Sequence, residues 1–207
     1  MALRRHEIAE YIVARDPAFA AVVATIGPPP ARARVRVDDR FSHLARSITH
    51  QLLAIKAAMT IHGRVLELVG GDVTPASVLA LSVADLRAAG LSNTKAEAMI
   101  QLADYVNSGR VRIARHGYMD DADVVADVTQ VRGIGPWTAH MYLMFTLARH
   151  DVWPTGDFGV RHGWSVIHEL DENVSEAELT RLGEPFVGVR SAVADYCWAA
   201  VDEVSWL

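Results

Sequence analysis

The stretch Val131–Ala139 reads VRGIGPWTA and interrupts a sequence in which helical patterns otherwise dominate. Gly133 and Gly135 favour a tight turn, because glycine adopts positive φ without a steric penalty. Pro136 suits the first position of a helix, where its missing N–H group is not needed. We therefore predict a helix that ends near residue 131, a hairpin turn, and a second helix that runs from Pro136 to about Arg149.

The start of this second helix is suited to an anion. Its first backbone N–H groups have no partner within the helix, and they lie at the positive end of the helix dipole. The glycines also remove the Cβ atoms that would keep a phosphate away from the backbone. The hairpin is therefore a candidate grip for a nucleic-acid backbone that needs few basic side chains, although an ordinary turn between helices has the same pattern.

Composition limits the classes of protein that the rest of the chain can form. The chain has 207 residues, of which 51% are hydrophobic and 22% charged, which suits one compact unit or two small lobes. Alternation with the period of a β-strand is nearly absent, so we predict an all-α fold. No run of about 18 uncharged apolar residues and no secretory signal occurs, so we expect a cytoplasmic protein that does not enter a membrane.

Cysteine, histidine and net charge exclude several functions. Cys197 is the only cysteine, so a disulfide within the chain and a four-cysteine metal site are both impossible. No two of the nine histidines lie four residues apart, which argues against a helical zinc site. The formal net charge of -5 argues against a protein that coats nucleic acid by bulk electrostatics, so any contact with DNA has to be local.

Two stretches together resemble one known family. The hairpin VRGIGPWTA, followed by DVWPTGDFGVR at Asp151–Arg161, is similar to the helix-hairpin-helix DNA glycosylases, in which a Gly/Pro-rich loop and a catalytic aspartate follow the hairpin. The alkylation-repair branch, DNA-3-methyladenine glycosylase II, is the most similar. The resemblance extends from about Phe41 to Trp198, and only about 40 residues precede Phe41, so we expect the compact form without the extra N-terminal β domain of larger members.

The resemblance implies a two-lobed helical fold with the active-site cleft between the lobes. The central lobe would comprise about 41–131, and the second lobe would comprise the N-terminal helices and about 132–207. Within the central lobe, the pattern over Phe41–Val69 predicts one long helix, or two helices with a break near Gln51.

The activity that the resemblance implies is hydrolysis of the N-glycosidic bond of an alkylated base, of the 3-methyladenine type, in base excision repair. Asp157 would be the catalytic carboxylate; it is also a typical N-cap for the helix that starts at Phe158, and the two roles are compatible. Trp137 stands where bifunctional members carry a Schiff-base lysine, so we expect a monofunctional enzyme without lyase activity.

The base pocket would be lined by Trp137, Met141 and Trp198. Aromatic walls suit N-alkylated purines, whose positive charge is attracted to a π face. Met141 stands where the best-known members have a tyrosine, which weakens any expectation of broad specificity. All three residues are also typical of a protein core.

Contacts with DNA would come from the hairpin and from a wedge that fills the space of the flipped base. Leu52, with Gln51 beside it, is the best match for the wedge. The residues expected to contact DNA are Gly133, Ile134, Gly135, Thr138, Gln51, Leu52, Arg132 and Arg161. Lys95, Arg46 and Arg190 are further candidates for phosphate contacts. Solvated surface charge is the stronger explanation for each of these three cations, and for Arg132 and Arg161 as well.

The resemblance also implies an alkali metal ion, Na⁺ or K⁺, bound by main-chain carbonyls of Thr129, Val131 and Ile134. No other cofactor is expected. The expected partner is double-stranded DNA with a damaged base, bound by a nucleoid-associated monomer. Two alternatives stay open: a non-catalytic helix-hairpin-helix protein that binds DNA or recognises damage, and a glycosylase for a different damaged base.

Overall fold

The helical periodicity of the sequence is matched by the computed structural model, which describes residues 3–51 and 55–201. Within these two ranges the chain forms twelve α-helices and no β-strand, which confirms the all-α prediction. The helices are α1 Arg5–Arg15, α2 Ala20–Ile26, α3 Arg40–His50, α4 Ile55–Leu68, α5 Pro75–Leu79, α6 Val83–Ala88, α7 Asn93–Asn107, α8 Asp121–Val128, α9 Pro136–Phe145, α10 Phe158–Ile167, α11 Glu176–Leu182 and α12 Arg190–Ala200. No helix in the described ranges is long and apolar enough to cross a membrane.

The helix boundaries follow local signals in the sequence. Helix α3 ends at His50 and α4 begins at Ile55, so the break expected near Gln51 is present. Helix α9 begins at Pro136 as predicted but ends at Phe145, before the expected end near residue 149. The predicted helix was too long because the chain leaves the helical conformation before Ala148, whose φ of 54° is left-handed.

The Cα packing divides the described chain into two units. One comprises residues 34–148, and we call the other, made of 3–33 and 149–201, the terminal unit. The lobes expected from the sequence differ from these units over residues 132–148. That segment contains α9, which packs on α3 and α8 and therefore belongs with the 34–148 unit.

The core of the 34–148 unit is built on amphipathic helices. Phe41, Leu44, Ala45 and Ile48 are buried on α3 at the spacing of one helical face. This face packs against α4, α7 and α9. Helix α9 is buried over most of its circumference, which explains its almost continuous run of apolar residues.

A buried polar network joins α8 to α9. The His116 side chain is fully buried, and its Nε2 lies 2.8 Å from Asp127 Oδ2 on α8. Its Nδ1 lies 3.0 Å from Tyr142 Oη on α9. Burial opposes ionisation of Asp127, but the hydrogen bonds from His116 and from the Arg112 backbone outweigh it and lower the pKa of Asp127. The two helices that flank the hairpin are thus connected by satisfied buried groups.

The terminal unit depends on close packing of α10 against α12. A Cβ atom built on Gly163 would overlap the backbone carbonyl of Cys197, so the two helix backbones touch at this point. Phe19 fills the space beside the pair, with ring centroids 5.5 Å from Trp164 and 5.9 Å from Phe186. Only glycine permits such an approach of two helices.

The segment after α2 is fastened to α12 by polar contacts. The Tyr196 hydroxyl donates to the Gly27 carbonyl at 3.0 Å, and Arg32 forms a buried ion pair with Asp195. Burial raises the pKa of Asp195 to about 6, although the Arg32 guanidinium favours the charged form. The Pro-rich segment that ends α2 is therefore an ordered part of the terminal unit.

We expect Gly163→Ala to lower the free energy of unfolding by about 1–3 kcal/mol or more, because the added methyl group forces α10 and α12 apart. The matched control is Gly63→Ala on α4, where a Cβ meets nothing within 4 Å. That variant should be neutral or stabilising by up to about 1 kcal/mol, because alanine favours the helix. Denaturant unfolding of both variants checks the prediction, and equal stability of the two would contradict it.

Candidate active site

Asp157 occupies the N-cap position of α10. Its Oδ1 accepts a hydrogen bond from the Val160 backbone N–H at 2.8 Å, and the side chain is 8% exposed. The cap satisfies one of the donors that every helix leaves open at its start. The carboxylate is therefore fixed in orientation and nearly removed from bulk water.

Trp198 on α12 holds the same carboxylate oxygen. Its indole Nε1 donates to Asp157 Oδ1 at 2.9 Å, and the residue is only 3% exposed. The sequence predicted both residues as site residues, but not their contact, because 41 positions separate them and no pattern connects them. Sequence reasoning thus missed the observed role of Trp198, which orients the candidate catalytic group.

The loop before Asp157 is anchored to the start of α12. Arg190 forms a two-pronged ion pair with Asp151, with Nε–Oδ1 and Nη2–Oδ2 distances of 2.6 and 2.8 Å. Burial acts against ionisation of Asp151, but the Arg190 guanidinium prevails and lowers the pKa of that carboxyl. Ser191 Oγ accepts from the Val152 N–H at 3.0 Å. Arg190, expected as a phosphate contact, is instead paired within the protein.

The hairpin turn between α8 and α9 has the predicted form at one glycine and not at the other. Gly133 has φ +93° and a Cβ there would lie 3.1 Å from the Cβ of Ala98 on α7, so glycine is required. Gly135 has φ −93° and is the N-cap of α9. The prediction of positive φ at Gly135 was wrong, because the chain only needs to become extended before Pro136. A Cβ at Gly135 would meet no protein atom within 4 Å.

Two other predicted hairpin contacts have buried side chains. Thr138 is 2% and Ile134 3% exposed, so their side chains point into the 34–148 unit. Their side chains are therefore not available to DNA in this structure, and only their main chain remains for such a contact. The first intrahelical hydrogen bond of α9 is donated by the Ala139 N–H to the Gly135 carbonyl, at 3.1 Å. The Thr138 N–H therefore has no acceptor within the helix.

Gln51 contacts the hairpin directly. Its Nε2 donates to the Gly133 carbonyl at 3.0 Å and to the Thr138 hydroxyl at 2.8 Å. The side chain expected to reach into DNA is thus bonded to the two sides of the turn. Leu52, the expected wedge, lies outside the described residues.

The predicted basic contacts differ in their surroundings. Arg132 and Arg46 are exposed, as a phosphate contact requires. Arg161 is partly buried on α10, and its Nε is buried without a hydrogen-bond partner among the described residues. Lys95 is committed to two backbone carbonyls, those of Thr49 and Gln51.

The two remaining pocket candidates lie one turn apart on α9. Trp137 is partly exposed, whereas Met141 is 5% exposed. The predicted residues thus form two groups: Trp137, Met141, Gln51 and the hairpin in the 34–148 unit, and Asp157 with Trp198 in the terminal unit. Within the described ranges, no group of three or more His, Cys, Asp or Glu side chains is arranged to hold a metal ion.

Comparison with known proteins identifies the family. Residues 45–186 match the HhH-GPD superfamily of base excision DNA repair proteins, and the chain belongs to this family. The structure is similar to that of a DNA-3-methyladenine glycosidase from Bacillus halodurans, with 31% identity, a TM-score of 0.80, and coverage of 93% of this chain and 88% of that one.

The chain is also similar to 3-methyladenine glycosylases of fission yeast. A Schizosaccharomyces pombe 3-methyladenine DNA glycosylase in complex with abasic DNA has a TM-score of 0.83 at 26% identity, with 92% of this chain and 94% of that one covered. DNA-3-methyladenine glycosylase 1 of the same organism is 28% identical over 163 residues, which cover 77% of this chain and 72% of that protein.

We expect Gly133→Ala and Gly135→Ala to differ in stability. The first should cost about 1–3 kcal/mol, because it forces a left-handed φ on alanine beside Ala98, and the second less than about 0.5 kcal/mol. Thermal unfolding of both variants measures the difference.

Gly135→Val tests DNA binding without a folding defect. We expect weaker binding of duplex DNA at an unchanged thermal midpoint. Unchanged affinity would mean that the hairpin is only a turn.

Proposed function

We propose that the protein is a monofunctional DNA glycosylase that hydrolyses the N-glycosidic bond of alkylated bases, of the 3-methyladenine type, in base excision repair. The observation that carries the proposal is the Asp157 carboxylate, fixed by the Val160 N–H and the Trp198 indole, in a chain of the HhH-GPD family. The relatives named as 3-methyladenine glycosylases support the choice of alkylated bases.

The reaction requires stabilisation of a sugar cation more than activation of the base. The damaged nucleotide leaves the base stack, and the C1′–N bond then breaks with its electron pair going to the base. An alkylated purine carries a positive charge and departs as a neutral molecule, so it needs little further help. Asp157 supplies the negative charge that stabilises the developing oxocarbenium sugar, and water adds to C1′ and loses a proton.

The arrangement around Asp157 suits this electrostatic role. Both hydrogen bonds reach Oδ1, and they orient the carboxylate before substrate arrives. A charge that is already oriented stabilises the transition state without further reorganisation. Its low exposure strengthens the interaction, because less water screens the charge.

A lyase step is not part of the proposal. Schiff-base chemistry needs an amine, and Trp137 occupies the corresponding position. The chain has only two lysines. Lys95 is bonded to two carbonyls of its own unit, and Lys56 is an exposed residue of α4.

Duplex DNA is the proposed partner, held by the hairpin and approached by a monomer. Open space at Gly135 and the amide of Thr138 at the start of α9 are suited to a phosphate. Exposed Arg132 and Arg46 add local positive charge to a chain with net charge -5. Trp137, Met141 and Trp198 are proposed to contact the flipped base, and an aromatic face attracts its positive charge.

An alkali ion at the hairpin is part of the proposal, and the groups present fit it. Thr129, Val131 and Ile134 offer carbonyl oxygens, the donor type that hard cations prefer. The Val131 carbonyl accepts from the Ile134 N–H at 3.0 Å, which uses one of its two lone pairs. The ion would supply positive charge beside a bound phosphate. We propose no other cofactor.

We expect Asp157→Asn to keep the fold and duplex binding but to lose base release by on the order of 10²-fold or more, since the negative charge is removed. Asparagine is also a good N-cap, and its Oδ1 can accept from both Val160 and Trp198. The assay is release of methylated bases from duplex DNA treated with a methylating agent. Asp171→Asn, at an exposed position of the same unit, is the matched control for loss of one negative charge. Base release retained by Asp157→Asn would overturn the assignment, and none by the wild type would favour a protein that only binds DNA.

We expect Trp198→Phe to slow base release about 10- to 100-fold, because hydrogen bonds to charged groups contribute roughly 1.5–3 kcal/mol. Trp164→Phe is the matched control, since Trp164 is also buried in the terminal unit but stacks on His168, 4.4 Å between ring centroids. Both variants should lose similar stability. Equal rates for the two would show that the contact with Asp157 does not matter.

A further inference from the structure

Helix α7 supports the hairpin along one face. Lys95, Ala98 and Gln101 follow one another at intervals of three residues, so their side chains lie on the same side of the helix. Ala98 and Gln101 contact the turn itself. Lys95 binds the backbone of Gln51, whose side chain contacts the turn. This face is a candidate for setting the geometry of the turn.

Gln101 and Ala98 make the direct contacts. Gln101 Oε1 accepts from the Arg132 backbone N–H at 2.6 Å, and its amide donates to Tyr105 Oη at 3.1 Å, which fixes the orientation of the amide. Ala98 lies beside Gly133, since a Cβ atom built on Gly133 would be 3.1 Å from the Cβ of Ala98. The turn thus rests on α7 just before the chain enters α9.

Lys95 acts on the end of α3. Its ammonium donates to the carbonyls of Thr49 at 2.9 Å and Gln51 at 2.5 Å. The last carbonyls of a helix lack partners within it and lie at the negative end of the dipole, so a cation there is favourable. The backbone of Gln51 is therefore fixed, and its side chain reaches Gly133 and Thr138 from a defined position.

We propose that Lys95 is a positioning residue for the hairpin, and that it acts through Gln51 to hold the turn in the geometry that receives a DNA phosphate. The inference deepens the proposed function and rests on it, because it takes the hairpin as the DNA grip. Without Lys95 the end of α3 loses its partner, and Gln51 no longer holds both sides of the turn. The N–H groups at the start of α9 then have to be ordered when DNA binds, which weakens binding.

The surroundings of Lys95 argue against a direct phosphate contact. Two of the three donors of its ammonium are directed to main-chain carbonyls, and the residue is partly buried. Burial lowers the pKa of Lys95 from its ordinary value, which agrees with a group withdrawn from solvent. The two roles make different predictions for the effect of salt.

The test is Lys95→Met, studied in the full chain with a duplex that carries a tetrahydrofuran abasic-site analogue. We expect binding about tenfold weaker, with the slope of log K against log salt unchanged from the wild type. A lost phosphate contact would instead reduce that slope by about 0.9 and overturn the proposal. Lys95→Arg, which keeps charged donors at this position, should restore most of the affinity.

Lys56→Met is the control for loss of one positive charge, because Lys56 is the other lysine and is exposed. The proposal requires a larger loss of affinity in Lys95→Met than in this control, and equal losses would overturn it. Gln51→Leu gives a second route if Lys95→Met folds poorly, and it should weaken binding to a similar extent. Unchanged affinity of a folded Gln51→Leu would also overturn the proposal.

Base release separates a defect in binding from a defect in chemistry. In Lys95→Met the DNA concentration for half-maximal release should rise, whereas the single-turnover rate at saturating DNA should stay within about twofold of the wild type. A fall in the saturated rate alone would overturn the positioning role. Wild-type protein that binds the abasic duplex but releases no base would count against the proposed function only, since the positioning role is judged on binding.

Discussion

The contact of the α10 and α12 backbones at Gly163 is the constraint on which the terminal unit depends. Because no side chain separates the helices at this point, Trp198, the residue after Cys197, comes within hydrogen-bonding distance of Asp157 at the start of α10. The start of α12 anchors the loop before Asp157 through Arg190. A single helix therefore fixes the candidate catalytic carboxylate from both directions, and the precision of the site follows from close packing rather than from the strength of any one polar contact.

Burial of a carboxylate is unfavourable unless hydrogen bonds compensate for the lost water. Asp157 meets this condition with the Val160 amide and the Trp198 indole, neither of which carries a formal charge. Asp151 and Asp195 are paired with Arg190 and Arg32, and these ion pairs join separate segments of the terminal unit. The same residue type thus caps a helix at Asp157 and joins segments of the unit at Asp151 and Asp195.

The sequence predicted the parts of the structure that local chemistry determines. The turn at Gly133, the start of α9 at Pro136 and the cap at Asp157 are each specified by a few neighbouring residues. The contacts of Gln51, Lys95 and Trp198 join distant parts of the chain, and no spacing reveals them. Sequence reasoning therefore assigned Lys95 and Gln51 to DNA, because a polar side chain near a family motif looks the same whether its partner is a phosphate or a carbonyl. Gly135 shows a second limit of sequence reasoning, because a glycine in a turn does not always have a positive φ.

The partners of the basic side chains show how a protein with a negative net charge uses its cations. Several of the basic side chains serve the fold: Arg32, Arg112 and Arg190 pair with buried or partly buried carboxylates, and Lys95 binds carbonyls. Attraction of DNA by bulk charge is correspondingly weak, so under the proposed function affinity would come from main-chain donors at the hairpin and a few exposed arginines. Main-chain donors cannot swing to meet a phosphate as lysine side chains do. Binding of this kind therefore depends on how rigidly the turn is held. The uncharged contacts of Ala98 and Gln101 with the turn contribute to that rigidity, although a count of basic residues does not include them.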